Sequence, residues 1–293
     1  MVLIDLHAHT TASDGSLSPC QLVEAALEAG LVAIAVTDHD TADGVPGALE
    51  AGASLGVRVV PGIEISCVLE GGALHILGYE FDLSEPRFAA GVERLKRARE
   101  ERNPKIIRNL RKSGIPITLA QVEERAGGGI VGRPHIAKTL LDLGAVKTVQ
   151  EAFDSYLASD SPAYEHKFRY EPADAFEMIK GAGGIPVMAH PYQTRREGEE
   201  LRQLVSELTE QGLEGIEVLY SRHNPEQVEF YGELAREFDL VPTGGTDFHG
   251  RTKPDIALGV GTGDLRVPSS ILDGLDVRVA AIRQTRAQSI PLR

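Results

Sequence analysis

The chain has 293 residues, which is enough for one large α/β domain or two smaller ones. Its net charge of −13 argues against broad adsorption to nucleic acid or membranes, although metal ions or local arginines can still attract an anionic substrate. It is 42% hydrophobic but has no apolar run of about 18 residues, so it can bury a core without spanning a membrane.

The termini and cysteines indicate where the protein works. The N-terminal segment MVLIDLH has no basic stretch and no cleavage site, so we expect no signal peptide. Cys20 and Cys67 are too few for a disulfide framework, and we interpret both as core residues. These features predict a cytoplasmic protein.

The first third of the chain alternates strands and helices. Strands are predicted at VLIDLH, LVAIAVTDHD, VRVVPGIEIS and ALHILGYEF, and helices at PCQLVEAALEAG and around VPGALEAGASLG. Ser18 is the expected N-cap of the first helix, which should end at Gly30. Nearly continuous apolar strands separated by helices predict a parallel sheet covered by helices.

The same alternation returns after residue 170. Three helix–strand pairs end in IPVMAHP, LEGIEVLY and LVPTGGTDFH. With the first third, these make about seven strand units, which favour a barrel over an open sheet. We therefore predict a barrel domain formed by residues 1–99 and 171–293.

Residues 100–170 break the pattern and are predicted to form a helical insertion that covers the active site. Just at its start, residues 91–112 carry a local excess of positive charge in an acidic chain. We interpret this stretch as a solvated helix face, and contact with a longer anionic substrate stays open as the alternative. The nine cations are Arg94, Lys96, Arg97, Arg99, Arg102, Lys105, Arg108, Arg111 and Lys112, against three glutamates.

Histidines and carboxylates recur where predicted strands end. The set comprises His7, His9, Asp38, His39, Glu64, His190, Glu217, Asp247 and His249, together with His75 early in the fourth strand. A barrel gathers the C-terminal ends of its strands onto one rim, where catalytic residues lie. Imidazole and carboxylate without thiolate suit Zn²⁺, Mn²⁺ or Fe²⁺, and the set is too large for one ion. The pattern predicts a cluster of two or three divalent metal ions.

The order of the motifs along almost the whole chain resembles the PHP (polymerase and histidinol phosphatase) family of metal-dependent phosphoesterases. These motifs are HAH with a following Asp, TDH, a strand-end Glu, a strand His, AHP and TDFH. Within it, GRPHIA and IEVLYSRHNPEQ resemble the bacterial branch called TrpH or YciV, which is similar to nucleoside 3′,5′-bisphosphate phosphatases and to exonucleases on short RNA. The resemblance implies an amidohydrolase-like, distorted (β/α)7 barrel with a helical insertion.

The resemblance also implies which residues hold the ions, expected to be Mn²⁺, with Zn²⁺, Fe²⁺ or Mg²⁺ as alternatives. One ion would be held by His7, His9, Glu64 and Asp247, a second by Glu64, His75 and His190, and a third by Asp14, His39 and His249. Asp38 matches no ligand and is expected to orient a ligand histidine, while Glu217 is expected to support a ligand or lie at the edge of the core.

The expected nucleophile is a water that bridges two ions beside His7, His9, Glu64 and Asp247. Family likeness implies that phosphate is bound by Arg133, His135, Arg222 and His223, with Arg195 and Arg196 as weaker candidates. Either His135 or His223 is a candidate for protonating the leaving oxygen, and the sequence does not choose between them.

The function implied is hydrolysis of the 3′-phosphate of a nucleoside 3′,5′-bisphosphate, for example adenosine 3′,5′-bisphosphate to AMP and phosphate. Alternatives are a 5′-3′ exonuclease on short 5′-phosphorylated RNA and a small phosphomonoesterase of the histidinol-phosphate type. An amidohydrolase that acts on a C–N bond is disfavoured because no strand ends in a lysine. A polymerase accessory module is disfavoured because the ligand set is complete.

The expected partner is a nucleotide or short oligonucleotide, with no membrane and no stable long nucleic acid; the oligomeric state stays open. Tyr164, Phe168 and Tyr170 are candidates for stacking on a base, although packing is the default interpretation of each.

Overall fold

The computed structural model describes residues 2–158 and 161–289. Its strands are β1 Leu3–Ala8, β2 Leu31–Val36, β3 Arg58–Cys67, β4 Leu74–Tyr79, β5 Ile185–Met188, β6 Gly215–Tyr220 and β7 Val241–Gly245. Its helices are α1 Pro19–Glu28, α2 Val45–Leu55, α3 Pro86–Lys112, α4 Leu119–Ala126, α5 Arg133–Asp142, α6 Val149–Ala152, α7 Pro172–Gly181, α8 Gly198–Gln211, α9 Pro225–Glu237 and α10 Ile271–Ser289. A π-helical turn, Phe153–Leu157, follows α6, and 3₁₀ turns lie at Pro191–Thr194 and Gly250–Thr252.

The seven strands form one sheet in chain order, from β1 to β7. The two edges of the sheet meet, because the Asp247 amide donates to the His7 carbonyl at 2.8 Å and the His9 amide donates to the Phe248 carbonyl at 2.9 Å. The sheet is therefore a nearly closed barrel with helices outside it, which confirms the predicted α/β barrel and its strand count.

Strand β4 corrects the prediction of a parallel sheet, because it pairs antiparallel with both β3 and β5. Only residues 68–73 connect β3 to β4, which is too short for a crossover helix and sufficient for a hairpin-like return. The reversal puts the N-terminal end of β4 beside the C-terminal end of β3, where His75 lies opposite Ser66. His75 therefore reaches the same rim as the ends of the parallel strands.

The first helix confirms the predicted start signal. The Ser18 hydroxyl accepts a hydrogen bond from the Gln21 amide, the Gln21 side chain returns to the Ser18 amide, and Pro19 opens the helix. The helix ends at Glu28, two residues before Gly30, which has a φ of +73°. Capping at both ends fixes how the chain leaves β1 and enters β2.

Two apolar clusters pack the barrel: one lies largely between the strands and α1, α2, α7, α8 and α9, and the other joins strands to α10. Cys67 is buried in the first cluster, as predicted, whereas Cys20 is exposed, so the prediction was wrong for Cys20. In the part of the chain that is described, no helix has both the length and the apolarity to cross a bilayer.

A third apolar cluster lies within residues 106–163, inside the segment predicted as an insertion. The predicted boundary at residue 99 falls within α3, so one helix serves both the barrel and this cluster. The interpretation of the basic stretch as a solvated face is wrong for Arg99 and Arg102, because both side chains are buried.

Candidate metal centre

The barrel rim brings together all nine residues that the sequence nominated as ligands. Each belongs to at least one group whose nitrogen or oxygen atoms lie within 4.8 Å of one another. The groups are His9, Asp14, His39 and His249; His7, Glu64 and His190; His7, His9 and Asp247; and His39, Glu64 and His75. Residues that are up to about 240 positions apart in sequence therefore form one continuous polar centre.

Glu64 lies in the middle of this centre, and each of its two oxygens faces different histidines. Its Oε1 is 2.7 Å from His75 Nδ1 and 2.9 Å from His190 Nε2. Its Oε2 is 2.9 Å from His39 Nδ1 and 3.3–3.4 Å from the Nε2 atoms of His9 and His7. A carboxylate with its oxygens turned to two separate groups is arranged to bridge two cations.

The Asp14 side of the centre contains the third predicted group together with His9. His249 Nε2 is 3.2 Å from Asp14 Oδ1, and the rings of His9 and His249 stack with centroids 4.0 Å apart. His249 Nδ1 donates to the Asp247 carbonyl at 2.8 Å, so its Nε2 is the free ligand atom. The structure also brings His75 close to His39 through Glu64, so the division into three predicted ion sites stays a prediction.

The residues present fit divalent metal ions. Several buried atoms of the centre have no hydrogen-bond partner among the described residues: Nε2 of His7, His9 and His249, Nδ1 of His39 and His190, and Oε2 of Glu64. Buried polar atoms without partners are costly, and a cation shared by neighbouring imidazoles and carboxylates satisfies them. Nitrogen and carboxylate ligands without thiolate suit Mn²⁺, Fe²⁺ or Zn²⁺.

The electrostatics of the side chains divide the ligand histidines. Although burial opposes it, the charges of Glu217 and Glu64 raise the pKa of His7. Against the same effect of burial, hydrogen bonds to Asp247 and Glu64 raise the pKa of His9 to about 9, so both histidines would release a proton on binding a metal. Although burial opposes it, the surrounding histidines hold the pKa of Glu64 well below its usual range. Burial lowers the pKa of His39 to about 4, with His9 adding to the effect, so its imidazole is neutral at pH 7. A carboxylate and a neutral imidazole are the states in which these side chains bind metals.

Two buried carboxylates support the ligands, Glu217 as expected and Asp38 in a role that differs from the expectation. Glu217, rather than Asp38, orients a ligand histidine: its Oε1 is 2.9 Å from His7 Nδ1, and its Oε2 accepts from the His190 amide at 2.8 Å. Asp38 instead accepts from the amide and hydroxyl of Thr10 and from the Ser13 hydroxyl at 2.6–2.8 Å. Asp38 therefore holds the loop that carries Asp14.

The backbone is strained at two of the ligand positions. Asp247 has a φ of +58° and His190 a φ of +26°, both in the left-handed region that residues with a Cβ rarely adopt. At Gly15 a Cβ would lie 2.2 Å from the His9 carbonyl oxygen, so the turn after Asp14 requires glycine. Such local costs persist where the surrounding fold sets the direction of a side chain.

Two of the predicted phosphate contacts open α5 inside the insertion. Arg133 Nη1 donates to the Leu157 carbonyl at 3.0 Å, and its guanidinium lies 5.8 Å from the Tyr164 ring. His135 is buried, and its Nδ1 accepts from the Gly132 amide at 3.0 Å. The neutral ring of His135 therefore carries its proton on Nε2.

The other two predicted contacts follow β6 and point in different directions. Arg222 is exposed and pairs with Asp255 at 2.7 Å, so the structure does not bring it to the ligand set. His223 Nδ1 donates to the Val218 carbonyl at 2.9 Å, which leaves Nε2 as an acceptor. Its ring lies 5.0 Å from that of Tyr220, whose hydroxyl donates to Asp247 Oδ2 at 2.8 Å. The phosphate-binding roles of Arg133, His135, Arg222 and His223 stay predictions.

Beside the centre lies a group of buried or half-buried cations, of which sequence reasoning had singled out only Arg133 as a phosphate contact. We call Arg99, Arg102, Arg133, Lys167 and Arg169 the cationic cluster. Among the described residues, the one carboxylate that pairs with any of them is Asp40, which directly follows His39 and bonds both Arg99, at 2.6 Å, and Lys167. Clustering of cations on α3 was visible in the sequence, but their burial was not.

The most isolated member of this cluster is Arg102. Its side chain is 4% exposed, and its hydrogen bonds go to the amide oxygen of Asn103 at 3.0 and 3.4 Å. Burial, then the charges of Arg99 and Arg133, lower the pKa of Arg102. A buried guanidinium beside other cations is unfavourable unless an anion compensates it.

Comparison with known proteins places this geometry in context. The PHP domain profile matches residues 5–210. The chain is 36% identical to a 5′-3′ exoribonuclease of Haemophilus influenzae, over 84% of this chain and 89% of the relative. It is 31% identical to a 3′,5′-nucleoside bisphosphate phosphatase of Chromobacterium violaceum, over 85% of this chain and 88% of the relative. A solved structure from Bifidobacterium adolescentis, described as a metal-dependent phosphoesterase, superposes with a TM-score of 0.83 at 32% identity, covering 94% and 96% of the two chains.

Proposed function

The chain belongs to the PHP domain family and is a metal-dependent phosphoesterase, and we propose that its substrate is a 5′-phosphorylated nucleotide whose 3′ phosphoester bond it hydrolyses. The observation that carries the proposal is the pairing of a ligand centre for metal ions with the cationic cluster beside it. A nucleoside 3′,5′-bisphosphate has one phosphate for the ligand centre and one for the cationic cluster. Hydrolysis of adenosine 3′,5′-bisphosphate would give AMP and phosphate.

We propose that His7, His9, Asp14, His39, Glu64, His75, His190, Asp247 and His249 hold two or three ions, with Mn²⁺ as the expected metal. Such ions supply a lowered pKa for a bound water and offset the charge of the phosphoryl oxygens. The chain itself supplies the fixed directions of the ligands: Glu217 orients His7, and Asp38 holds the Asp14 loop.

The second phosphate is proposed to bind the cationic cluster as a handle. Arg99 already pairs with Asp40, whereas Arg102 has an amide as its partner and Arg133 has a carbonyl. Those two guanidinium groups have charge left to compensate, and a planar fork matches two phosphate oxygens. Holding the 5′-phosphate there places the 3′ ester towards the rim of the barrel.

The tautomers of the two candidate acids suit different roles. With Nδ1 accepting from Gly132, neutral His135 can donate a hydrogen bond from Nε2 to a phosphoryl oxygen, but giving up that proton would leave an imidazolate. His223 donates from Nδ1 to Val218, so a proton on its Nε2 makes an imidazolium that can pass it to the leaving oxygen and return to the neutral ring. We therefore propose His135 as a hydrogen-bond donor to the phosphoryl group and His223 as the residue that protonates the leaving oxygen.

The test is phosphate release from adenosine 3′,5′-bisphosphate by Mn²⁺-loaded protein, with 3′-AMP as the comparison substrate and the product identified. We expect release of 3′-phosphate that leaves 5′-AMP, with a KM at least about tenfold lower than for 3′-AMP, because 3′-AMP lacks the handle. Equal KM values for the two substrates would show that the second phosphate is not bound. Good turnover of unrelated phosphomonoesters, without turnover of the nucleotides, would show that the substrate is not a nucleotide.

A second candidate is favoured by the relative named as a 5′-3′ exoribonuclease, which has the higher identity of the two relatives compared. The same handle and the same scissile P–O3′ bond serve a short 5′-phosphorylated RNA. The 3′ oxygen of the first nucleotide is then the leaving group, and the phosphate stays on the 5′ end of the next nucleotide. A 5′-phosphorylated diribonucleotide tests it: release of 5′-AMP faster than release of phosphate from the bisphosphate would make the exonuclease the principal activity.

A further inference from the structure

Lys253 lies at the edge of the ligand centre in a position that neither its motif nor the ligand set explains. It follows the 3₁₀ turn Gly250–Thr252, and its Nζ donates to Asp247 Oδ2 at 2.6 Å. Among residues 2–158 and 161–289, it is the one lysine or arginine that pairs with a carboxylate of the ligand set. Its side chain is 36% exposed.

Orientation of Asp247 does not require Lys253. The buried Tyr220 hydroxyl already donates to the same oxygen, Oδ2, at 2.8 Å. The other oxygen, Oδ1, faces His9 Nε2 at 3.3 Å and His249 Nδ1 at 3.4 Å. A long, flexible lysine loses side-chain entropy when it is held in one place. If Lys253 only oriented Asp247, as Tyr220 already does, no further interaction would offset that loss.

The segment that carries Lys253 is fixed to the centre on its other side. The Thr252 hydroxyl lies 3.0 Å from the carbonyl oxygens of both Asp14 and His249, and the Arg251 amide donates to the Ser16 hydroxyl at 2.9 Å. The backbone therefore holds the lysine stem over the rim. An ammonium group has three donors, and the bond to Asp247 uses one of them.

We propose that Lys253 is a further substrate-binding residue, whose remaining N–H groups donate to the oxygens of the phosphoryl group that is hydrolysed. This rests on the proposed function only in that a phosphoester occupies the ligand centre, and it holds for any phosphoester substrate of the chain. Asp247 thereby serves two partners, with Oδ1 in the ligand set and Oδ2 fixing the cation that contacts the reacting phosphate. The ammonium would neutralise charge on oxygens that repel an attacking nucleophile.

The experiment measures binding of inorganic phosphate to the Mn²⁺-loaded protein by calorimetry, alongside metal content by mass spectrometry. Lys253→Met keeps the length of the stem and removes the donors; we expect the Kd of phosphate to rise about tenfold with unchanged metal content. Lys253→Arg should restore the Kd to within about threefold of the wild type, because it returns a positive donor group. Lys105→Met, at an exposed position on α3, is the matched control and should leave the Kd unchanged.

Tyr220→Phe separates contact with phosphate from orientation of Asp247. It removes the other donor to Asp247 Oδ2, so we expect it to weaken metal binding while the phosphate Kd at saturating Mn²⁺ stays within about twofold of the wild type. If Lys253→Met instead loses metal as Tyr220→Phe does and binds phosphate normally, Lys253 only positions Asp247 and the inference is wrong. Failure of the nucleotide proposal is distinguishable, because the wild type would then bind phosphate without turning over adenosine 3′,5′-bisphosphate.

Discussion

The ligand centre and the cationic cluster are neighbours with opposite construction. The centre is built at the ends of strands, where β1, β2, β3, β5 and β7 with the loops after them, and the start of β4, present imidazoles and carboxylates that face one another. The cluster is built from α3, the first residue of α5 and the segment at residues 164–169, and it presents cations that face one another. Both are largely buried, and Asp40 compensates only part of the charge of the cluster.

The difference teaches which ligand each region needs. In the centre, imidazole nitrogens and carboxylate oxygens lie unpartnered at 2.9–3.4 Å from one another, which a cation satisfies. In the cluster, Arg102 is buried with an amide oxygen as its partner, which an anion satisfies. Asp40 joins the two, because its amide donates to the Glu64 carbonyl at 2.9 Å and its carboxylate holds Arg99 and Lys167. A phosphoester with a second phosphate has the charge to span this junction.

The largest expected effect comes from breaking the centre at its middle. Glu64→Gln removes the carboxylate that faces five histidines, so we expect loss of bound metal and a fall in kcat on the order of 1000-fold or more, since the ions supply the chemistry together. Metal content and single-substrate kinetics measure both effects. Glu226→Gln, at an exposed position on α9, is the control and should change neither. Full metal content in the Glu64 variant would show that another carboxylate bridges the ions.

The next effect should fall on the cluster and spare the centre. Arg102→Met is expected to raise KM for adenosine 3′,5′-bisphosphate by about 10- to 100-fold, because a charged hydrogen bond to the handle is lost. The kinetics of 3′-AMP should not change. Replacing an uncompensated buried cation with an apolar side chain should leave the free energy of unfolding unchanged or raise it by about 1 kcal/mol. If KM rises equally for both substrates, Arg102 supports the structure of the rim and does not bind the second phosphate.

The sequence predicted which side chains the rim brings together, for a physical reason. Each ligand sits at or just after a strand end, and a barrel converts that one-dimensional position into a shared rim. His75 was nominated although it lies at the start of its strand, but its place on the rim follows from the antiparallel direction of β4, which a parallel sheet does not predict. The direction of β4 depends on pairing between strands and on a short connection.

The sequence could not predict the cluster, because charged side chains on a helix are usually solvated. Arg99 and Arg102 look like their exposed neighbours Lys105 and Arg108, and only packing against the barrel and the segment of Lys167 distinguishes them. Supporting roles were expected for both Asp38 and Glu217, but their contacts could not be predicted. Which of Asp38 and Glu217 contacts a ligand histidine depends on side-chain directions across strands that the sequence does not specify.

A smaller effect should come from loosening one edge of the centre. Asp38→Asn weakens the bonds that hold Thr10 and Ser13, so the loop carrying Asp14 loses its anchor. We expect about tenfold weaker affinity for the ion on the Asp14 side, with the other ions retained, because supporting groups typically tune affinity by that amount. Titration with limiting Mn²⁺ checks this. Simultaneous loss of every ion in this variant would mean that the ligand groups bind as one cooperative unit.

The smallest predicted effect is a pH dependence that belongs to the cluster alone. Burial, with the charges of Arg99 and Arg102 adding to it and Asp40 opposing it, lowers the pKa of Lys167 to about 7. The lysine is therefore charged below pH 7 and loses its proton as the pH rises, which weakens binding of the handle phosphate. Between pH 7 and 8.5, where the substrate phosphates are already dianions, KM for adenosine 3′,5′-bisphosphate should rise about threefold relative to KM for 3′-AMP.

The ratio of the two KM values cancels any titration in the centre, which both substrates use. Lys167→Arg keeps the positive charge across this range, so its ratio should stay flat. If the KM ratio of the wild type does not change with pH, Asp40 keeps Lys167 protonated. The two side chains then form an ion pair with no net charge between the two regions. The handle phosphate would then be bound by Arg102, Arg133 and Arg169, the three cluster arginines for which the described residues provide no carboxylate partner.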